Sequence, residues 1–262
     1  MSSFVSVKNL SVETSANKLL MENVSFELNK GETLAIIGQS GGGKTVTANA
    51  IFGLLPENLH ARGSVRIGGF EVLNVSPSAR LKKYGLEQLL LVQQAMTAFD
   101  PLSTIGQQII ETLGSHRRGW SDKRCQEILE NALAKLHFSD PKSILKKYPC
   151  ELSGGMLQRC MLSFALCLKP SLIIADEPTS ALDIVSSRRV IDEFIELKSE
   201  LQTAIIIVTH DLRAVAPASD KCLLIKAAKE IALGTPAEVL NDENEYSRLM
   251  KRARDKLRYK YG

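Results

Sequence analysis

"TLAIIGQSGGGKTVTANAIFGLL", Thr33 to Leu55, decides how this chain must fold. "TLAII" reads as a buried strand, and "KTVTANAIFGLL" as a helix that stops at Pro56. Between them "GQSGGGKT" matches G-x-x-x-x-G-K-[ST] in full. Glycines let the backbone turn tightly, so that successive N–H groups point inward at phosphate oxygens. The helix that follows adds its positive end. Lys44 can reach the β- and γ-phosphates, and the Thr45 hydroxyl can ligate Mg²⁺. The reading assigns Gly38, Gln39, Ser40, Gly41, Gly42, Gly43, Lys44, Thr45 and Val46 to ATP. A glycine-rich turn that binds nothing would need neither the strand before it nor the helix after it.

Working outward, "FVSVKNL" and "NVSFEL" alternate apolar and polar residues as short strands do, and "NKGE" makes a turn. "SVRIGG" suggests another edge strand and "LLLV" a buried one. From about Pro101 to Leu168 the pattern turns helical. "SDKRCQEILENALAKLHF" opens on Ser121 and Asp122, good residues for a helix start. It carries one apolar stripe of Ile128, Leu129, Ala132, Leu133 and Leu136. Buried strands return with "LIIAD" and "AIIIV", separated by the helical "SSRRVIDEFIELKSE". Strands alternating with helices imply a mostly parallel sheet. The expected fold is α/β: a P-loop NTPase core with antiparallel edge strands and an inserted helical subdomain. The core takes residues 1–94 and 165–240, the subdomain 95–164, and a basic tail 241–262. From Ser247 onward that tail holds seven basic residues against one acidic, which reads as a solvated helix.

Composition fits one compact unit. The chain has 262 residues, 44% hydrophobic and 24% charged, close to ordinary globular usage. A net charge of +4 is too mild to point to nucleic acid. The longest apolar runs are far shorter than a membrane span, and no signal peptide is visible. Five cysteines, with no C-x-x-C pair, read as buried, reduced thiols. His60, His116 and His137 are scattered and do not compose a metal site.

Two carboxylates end the strand "LIIADEP". Asp176 is suited to holding Mg²⁺ through water, and Glu177, one residue further, can polarise an attacking water. His210 ends "IIIVTH", where an imidazole can contact the γ-phosphate or that water. Gln93 follows "LLLV" at the border of core and insert. Its residue type alone fits a solvated glutamine as well as a Mg²⁺ and water contact.

"ELSGGMLQRC", Glu151 to Cys160, supplies a second glycine turn without a lysine. Ser153, Gly154 and Gly155 precede the helical "GMLQRCMLSFALCL". Backbone N–H groups at a helix start make an anion site even without a cation.

Taken together, the lysine loop, the border glutamine, "LSGGM", "IIADEPTSALD" and "VTHD" resemble, in this order and over nearly the whole chain, the ATP-binding-cassette transporter ATPases. "QQAMTAFDPLSTIGQQI" and "KKYPCELSGGMLQR" are similar to the oligopeptide, dipeptide and nickel importer group. The resemblance implies an ATP-hydrolysing, Mg²⁺-dependent subunit at the cytoplasmic face of the membrane. It would serve two separate permease subunits and, indirectly, an extracytoplasmic solute-binding protein. The solute would be nickel, another metal or metal chelate, or short peptides. A second ATPase subunit, in a heterodimer or a homodimer, would close face to face on this one. Ser153, Gly154, Gly155 and Met156 would then complete the partner's ATP site. By resemblance Asp183 lies at that interface, and Gln93 joins Thr45 and Asp176 on Mg²⁺. Thr14 falls where many relatives carry an aromatic that stacks on adenine. The alternative is a non-transport ATPase of this type, acting as an ATP-gated scaffold for soluble partners.

Overall fold

A computed structural model describes residues 3–241 except Gln94, Arg118 and Ala181. The basic tail therefore lies almost entirely outside the described residues. The chain begins with the strands β1 (Val5–Thr14), β2 (Leu19–Leu28) and β3 (Thr33–Gly38), followed by helix α1 (Lys44–Phe52). Strands β4 (Leu59–Ile67) and β5 (Phe70–Glu71), helix α2 (Pro77–Leu81) and strand β6 (Gln88–Leu91) come next. The helical stretch holds α3 (Ala95–Ala98), α4 (Ile105–His116), α5 (Asp122–Lys135), α6 (Pro141–Leu145) and α7 (Gly154–Leu168). The chain then returns to the sheet through β7 (Leu172–Asp176), α8 (Ile184–Leu201), β8 (Ala204–Thr209) and α9 (Leu212–Val215). It continues through β9 (Lys221–Lys226), β10 (Lys229–Gly234) and α10 (Pro236–Asn241).

One ten-stranded sheet has the order β5-β4-β1-β2-β10-β9-β3-β8-β7-β6. The strands β9, β3, β8, β7 and β6 run parallel, while β5, β4, β1 and β2 form an antiparallel arm. Strands β3, β7 and β8 are buried along their whole length. Alternate residues serve opposite faces, as the two-residue period requires. Ala35, Ile37, Ile173, Ala175, Ile205 and Ile207 pack under the helices α4 to α8. Leu34, Ile36, Ile174, Ile206 and Val208 pack on α1 and the antiparallel arm.

Three sequence expectations shift. Helix α1 ends at Phe52, because Gly53 takes a left-handed conformation (φ 83°) and returns its N–H to Asn49 and Ala50; Pro56 is not its stop. "SVRIGG" is not an edge: β4 begins at Leu59 and pairs with β1, and the two-residue β5 holds the border. Conversely β6 is the other border strand, with Leu89 and Leu90 only half-buried. A fourth shift concerns the thiols. Burial pushes Cys160, Cys167 and Cys222 up to about 12, but Cys150 is exposed.

The helix starts carry the caps their residues promise. Ser121 caps α5 through the Arg124 N–H, and Leu129, Ala132, Leu133 and Leu136 of the stripe are buried, with Ile128 packed against them. Helix α7 runs without a break across the boundary expected at residue 164.

Candidate functional site

At Gly38 and Gly43 the lysine loop is held by contacts that leave no room for a side chain. A Cβ on Gly38 would stand 2.2 Å from the Ile225 carbonyl oxygen, and one on Gly43 2.4 Å from that of Leu20. Gly43 also has φ 101°, which L side chains rarely adopt. The Gly42 N–H closes the turn on the Gln39 carbonyl at 3.1 Å. Lys44 is folded into the loop, donating from Nζ to the carbonyls of Gly38 (3.0 Å) and Gln39 (3.1 Å). Gln39, Ser40, Gly41 and Thr45 stay exposed at the mouth of the turn.

Parallel register brings the downstream residues to the same place. Ile37 of β3 pairs with Thr209 of β8, and Asp176 of β7 with Val208. The carboxyl ends of the three strands thus lie side by side, next to the loop that leaves β3. Thr45 Oγ1 donates to Asp176 Oδ1 at 3.3 Å. Glu177 approaches Lys44 Nζ through Oε1 (3.8 Å) and His210 Nδ1 through Oε2 (2.9 Å). Burial holds the Asp176 carboxyl above the usual range, and the Thr45 hydroxyl works against that shift. Glu177 is held in a left-handed conformation (φ 48°), its N–H bonded to Val208. Such strain in a non-glycine residue persists where the surroundings fix it.

These hard oxygens fit a divalent cation. Thr45 and Asp176 present a hydroxyl and a carboxylate beside the loop, and Mg²⁺ prefers oxygen ligands with phosphate completing the shell.

Gln93 is exposed, two residues past Leu91, which pairs with Ala175. Register therefore carries it to the same end of the sheet as Asp176. Ser153, Gly154, Gly155 and Met156 are not brought to the lysine loop: none of them lines the pocket there. Ser153 caps α7 through the Met156 N–H at 3.3 Å, and the two glycines face Leu182 and Ser186 at the start of α8. Asp183 caps α8, accepting from Ser186 N (2.9 Å) and Oγ (2.6 Å). Those hydrogen bonds hold its carboxyl below the usual range. The glycine turn and Asp183 thus form a second, exposed face, flanked by bare apolar side chains at Ile184 (89% exposed) and Val185 (72%).

Thr14 is not in the nucleotide-sized pocket. Its backbone and hydroxyl close the β1–β2 hairpin on Lys18. The pocket of ≈ 400 Å³ on the loop is walled instead by Lys18, by Leu19 and Leu20 at the start of β2, and by Ala227 and Ala228 between β9 and β10. Sequence reasoning missed those five. The missed signal was "KLLMEN", where β2 begins only after a four-residue turn.

A family model described as "ABC transporter" matches residues 21–180. The chain belongs to the ABC transporter family. As a cassette of that family it is an ATPase. It is 40% identical over 255 residues to a metal-staphylopine import system ATP-binding protein, CntD, of Staphylococcus aureus, with 97% of this chain and 94% of the relative covered. It is 39% identical over 220 residues to the oligopeptide transport ATP-binding protein OppD of Salmonella typhimurium, covering 84% of this chain and 65% of that one. The dimeric structure of the bacterial cassette MJ0796 superposes with a TM-score of 0.77 at 23% identity, covering 88% of this chain and 98% of the other. That likeness concerns the cassette fold alone.

Proposed function

We propose that this cassette is the ATP-hydrolysing subunit of a bacterial importer and drives solute uptake through separate permeases. The convergence of Lys44, Thr45, Asp176, Glu177 and His210 at one end of the parallel strands carries the reading. Gly38 to Val46 hold the triphosphate, with Lys44 leaving the Gly38 and Gln39 carbonyls for the β- and γ-phosphates. Thr45, Asp176 and Gln93 hold Mg²⁺, which supplies charge to the phosphate oxygens when bound. Glu177 orients the attacking water and takes its proton. The Nδ1–H of His210 donates to that carboxylate and keeps Oε2 in place. The products are ADP and phosphate.

The second face completes a partner's site. Ser153, Gly154, Gly155 and Met156 offer N–H groups at the start of a 15-residue helix, an anion site that works when a second subunit delivers a phosphate already held by lysine. Asp183 links the two sites. The uncovered Ile184 and Val185 support a covered face, since large exposed apolar side chains clustered together mark interaction surfaces. A heterodimer with a second cassette is the expected assembly.

No described helix is long and apolar enough to cross a membrane. On this reading the permeases are separate subunits, and the cassette docks on them from the cytoplasmic side. The cleft between the core 1–94 and 165–240 and the helical insert 95–164 supports this, a pocket of ≈ 660 Å³ with Leu89, Val92, Phe99 and Phe164 in its walls. Exposed Met96 and Leu102 stand beside it. The solute is a metal chelate or a short peptide, and the end-to-end match to CntD favours the chelate. Reconstitution with the permeases tests this: ATP-dependent uptake of a chelated metal is expected, and co-purification with soluble enzymes in place of permeases would sink it.

A further inference from the structure

Resting on the reading that the glycine turn at Ser153 to Gly155 completes a partner's nucleotide site, we propose that Arg159 is a positioning residue for that site. It is shared between the Leu136 carbonyl of the helical insert and the Glu193 carboxyl of α8, and the charge on Glu193 decides which of the two holds it.

The second face is built where two helices start side by side. The glycine turn opens α7 and Asp183 caps α8, and a Cβ on Gly155 would stand 3.4 Å from Ser186 Oγ. How α7 lies on α8 therefore sets how the N–H groups of the turn are presented. Further along the same two helices Arg159 faces Glu193: Nε is 3.9 Å from Oε1, with the side chains 11% and 1% exposed. That distance is about 1 Å beyond hydrogen-bond range.

The arginine is engaged by the insert. Its Nη1 donates to the Leu136 carbonyl at 3.0 Å, where α5 ends, and its guanidinium lies over the Phe138 ring at 4.2 Å. Neither oxygen of Glu193 has a hydrogen-bond partner. Glu193 stands on the buried face of α8 among Val190, Ile191, Phe194 and Leu197. A carboxyl is costly at such a position, where an apolar side chain would pack without penalty.

The other charges around Glu193 look outward. On its own helix Arg189 is exposed, Asp192 pairs with Arg188 at 3.1 Å and Glu196 with His137 at 3.7 Å. Lys135, at the end of α5, pairs with Glu200. Helix α9 and the turn that follows it meet α8 with the apolar Leu212, Val215 and Ala218. Arg159 is therefore the cation that shares the interior with this carboxyl.

Burial raises the Glu193 carboxyl to about 8. Near neutral pH it is protonated, and Arg159 stays with Leu136 and Phe138. Above that value a carboxylate forms in the interior. An ionised acceptor draws a guanidinium more strongly than a neutral carbonyl does, so Arg159 turns from the insert to α8. The Leu136 carbonyl loses its donor, α7 exchanges its hold on the insert for one on α8, and the glycine turn leaves its present placement.

Hydrogen exchange and turnover, read on wild type and Glu193→Gln side by side, test the proposal. The amide keeps the shape of the protonated acid and cannot ionise. In the full chain, exchange at residues 136–138 and 154–159 should match in the two proteins at about pH 6.5, and wild type should exchange about fivefold faster at about pH 9. In the complex with a second cassette and permeases, wild-type kcat should fall about fivefold against the variant over the same range. Arg159→Lys lacks the planar fork that serves both acceptors, and it should lower kcat at both pH values and flatten the profile. Parallel profiles for wild type and Glu193→Gln, in exchange or in turnover, would overturn the proposal. Ser153→Glu sets a negative charge where the partner's phosphate would sit, and it should stop turnover. A complex that still turned over would bring down the second-face reading, and the positioning role with it.

Discussion

His210 Nδ1 stands 2.9 Å from Glu177 Oε2, while Lys44 Nζ stands 3.8 Å from the other oxygen of the same carboxylate. One side chain thus bridges the residue just past β8 and the residue that opens α1. The bridge sits where a strained backbone (φ 48°) aims the carboxylate away from its own strand. Lys44 and Glu177 thus oppose each other's charge across 3.8 Å. On the proposed mechanism a bound triphosphate competes for the lysine and frees the carboxylate for water.

Replacing Glu177 with Gln keeps the shape and removes the base. Nucleotide binding should persist, and hydrolysis in the assembled complex should fall by at least about a hundredfold, the low end for a positioned acid–base group. His210→Ala should reduce turnover less, because it removes the support and not the base. Single-turnover hydrolysis measures both, and wild-type turnover in the Gln variant would refute the assignment.

Glycines in the loop differ in what they tolerate. Gly43→Ala drives a methyl group into the Leu20 carbonyl at 2.4 Å and the Met21 side chain, and should abolish binding. Gly41→Ala meets no atom within 4 Å and suffers only its left-handed φ of 77°. It should cost about 1 kcal/mol of stability and leave binding measurable. Calorimetric titration and thermal melts of the pair separate collision from backbone strain.

Ser153→Ala removes the cap of α7 and the hydroxyl from the second face. The partner's nucleotide site should lose more than the site on this chain. Photocrosslinking of labelled ATP to each subunit of the assembled complex reads the difference, and equal loss at both would count against a shared site.

Glu193, on α8, is 2% exposed, and neither carboxylate oxygen has a hydrogen-bond partner. Arg159 of α7 comes no nearer than 3.9 Å, since it bonds the Leu136 carbonyl and lies over the Phe138 ring. Burial pushes the Glu193 carboxyl up to about 8; Arg159 and Arg189 pull it down less than burial raises it, and Glu196 and Asp192 add to the rise. The unfolded chain loses this proton near 4.5, the folded chain near 8. Between those values the folded state binds more protons, so stability falls as pH rises. Glu193→Gln should abolish that slope. Its Tm should overtake wild type toward pH 8 by at least about 2 °C; parallel pH profiles would disprove the burial effect.

The Ala227–Ala228 turn offers a gain. Ala227→Asn with Ala228→Gly relieves two left-handed alanines, worth on the order of 1 kcal/mol each. Tm should rise by about 2 °C or more, and an unchanged melt would mean the turn relaxes at no cost.

Much was fixed by local chemistry. "GQSGGGKT" forces a tight loop between a buried strand and a helix, because glycines and a lysine in that spacing have few other uses. "LIIAD" and "AIIIV" could only be interior strands, and Ser121, Ser153 and Asp183 cap helices through their own side chains. The family could be read because such motifs lie in consecutive residues. What the tertiary structure alone decided depends on which strand lies beside which. The order β9-β3-β8-β7 sets His210 and Glu177 on the lysine loop. The start of β2 and the β9–β10 turn, some two hundred residues apart in sequence, meet at the nucleotide pocket, where Leu19 stands and Thr14 does not. Sheet pairing is non-local: a residue's neighbour across a strand leaves no mark on its own segment, so Leu19 and Ala227 acquire meaning only in the folded chain, as does the buried Glu193.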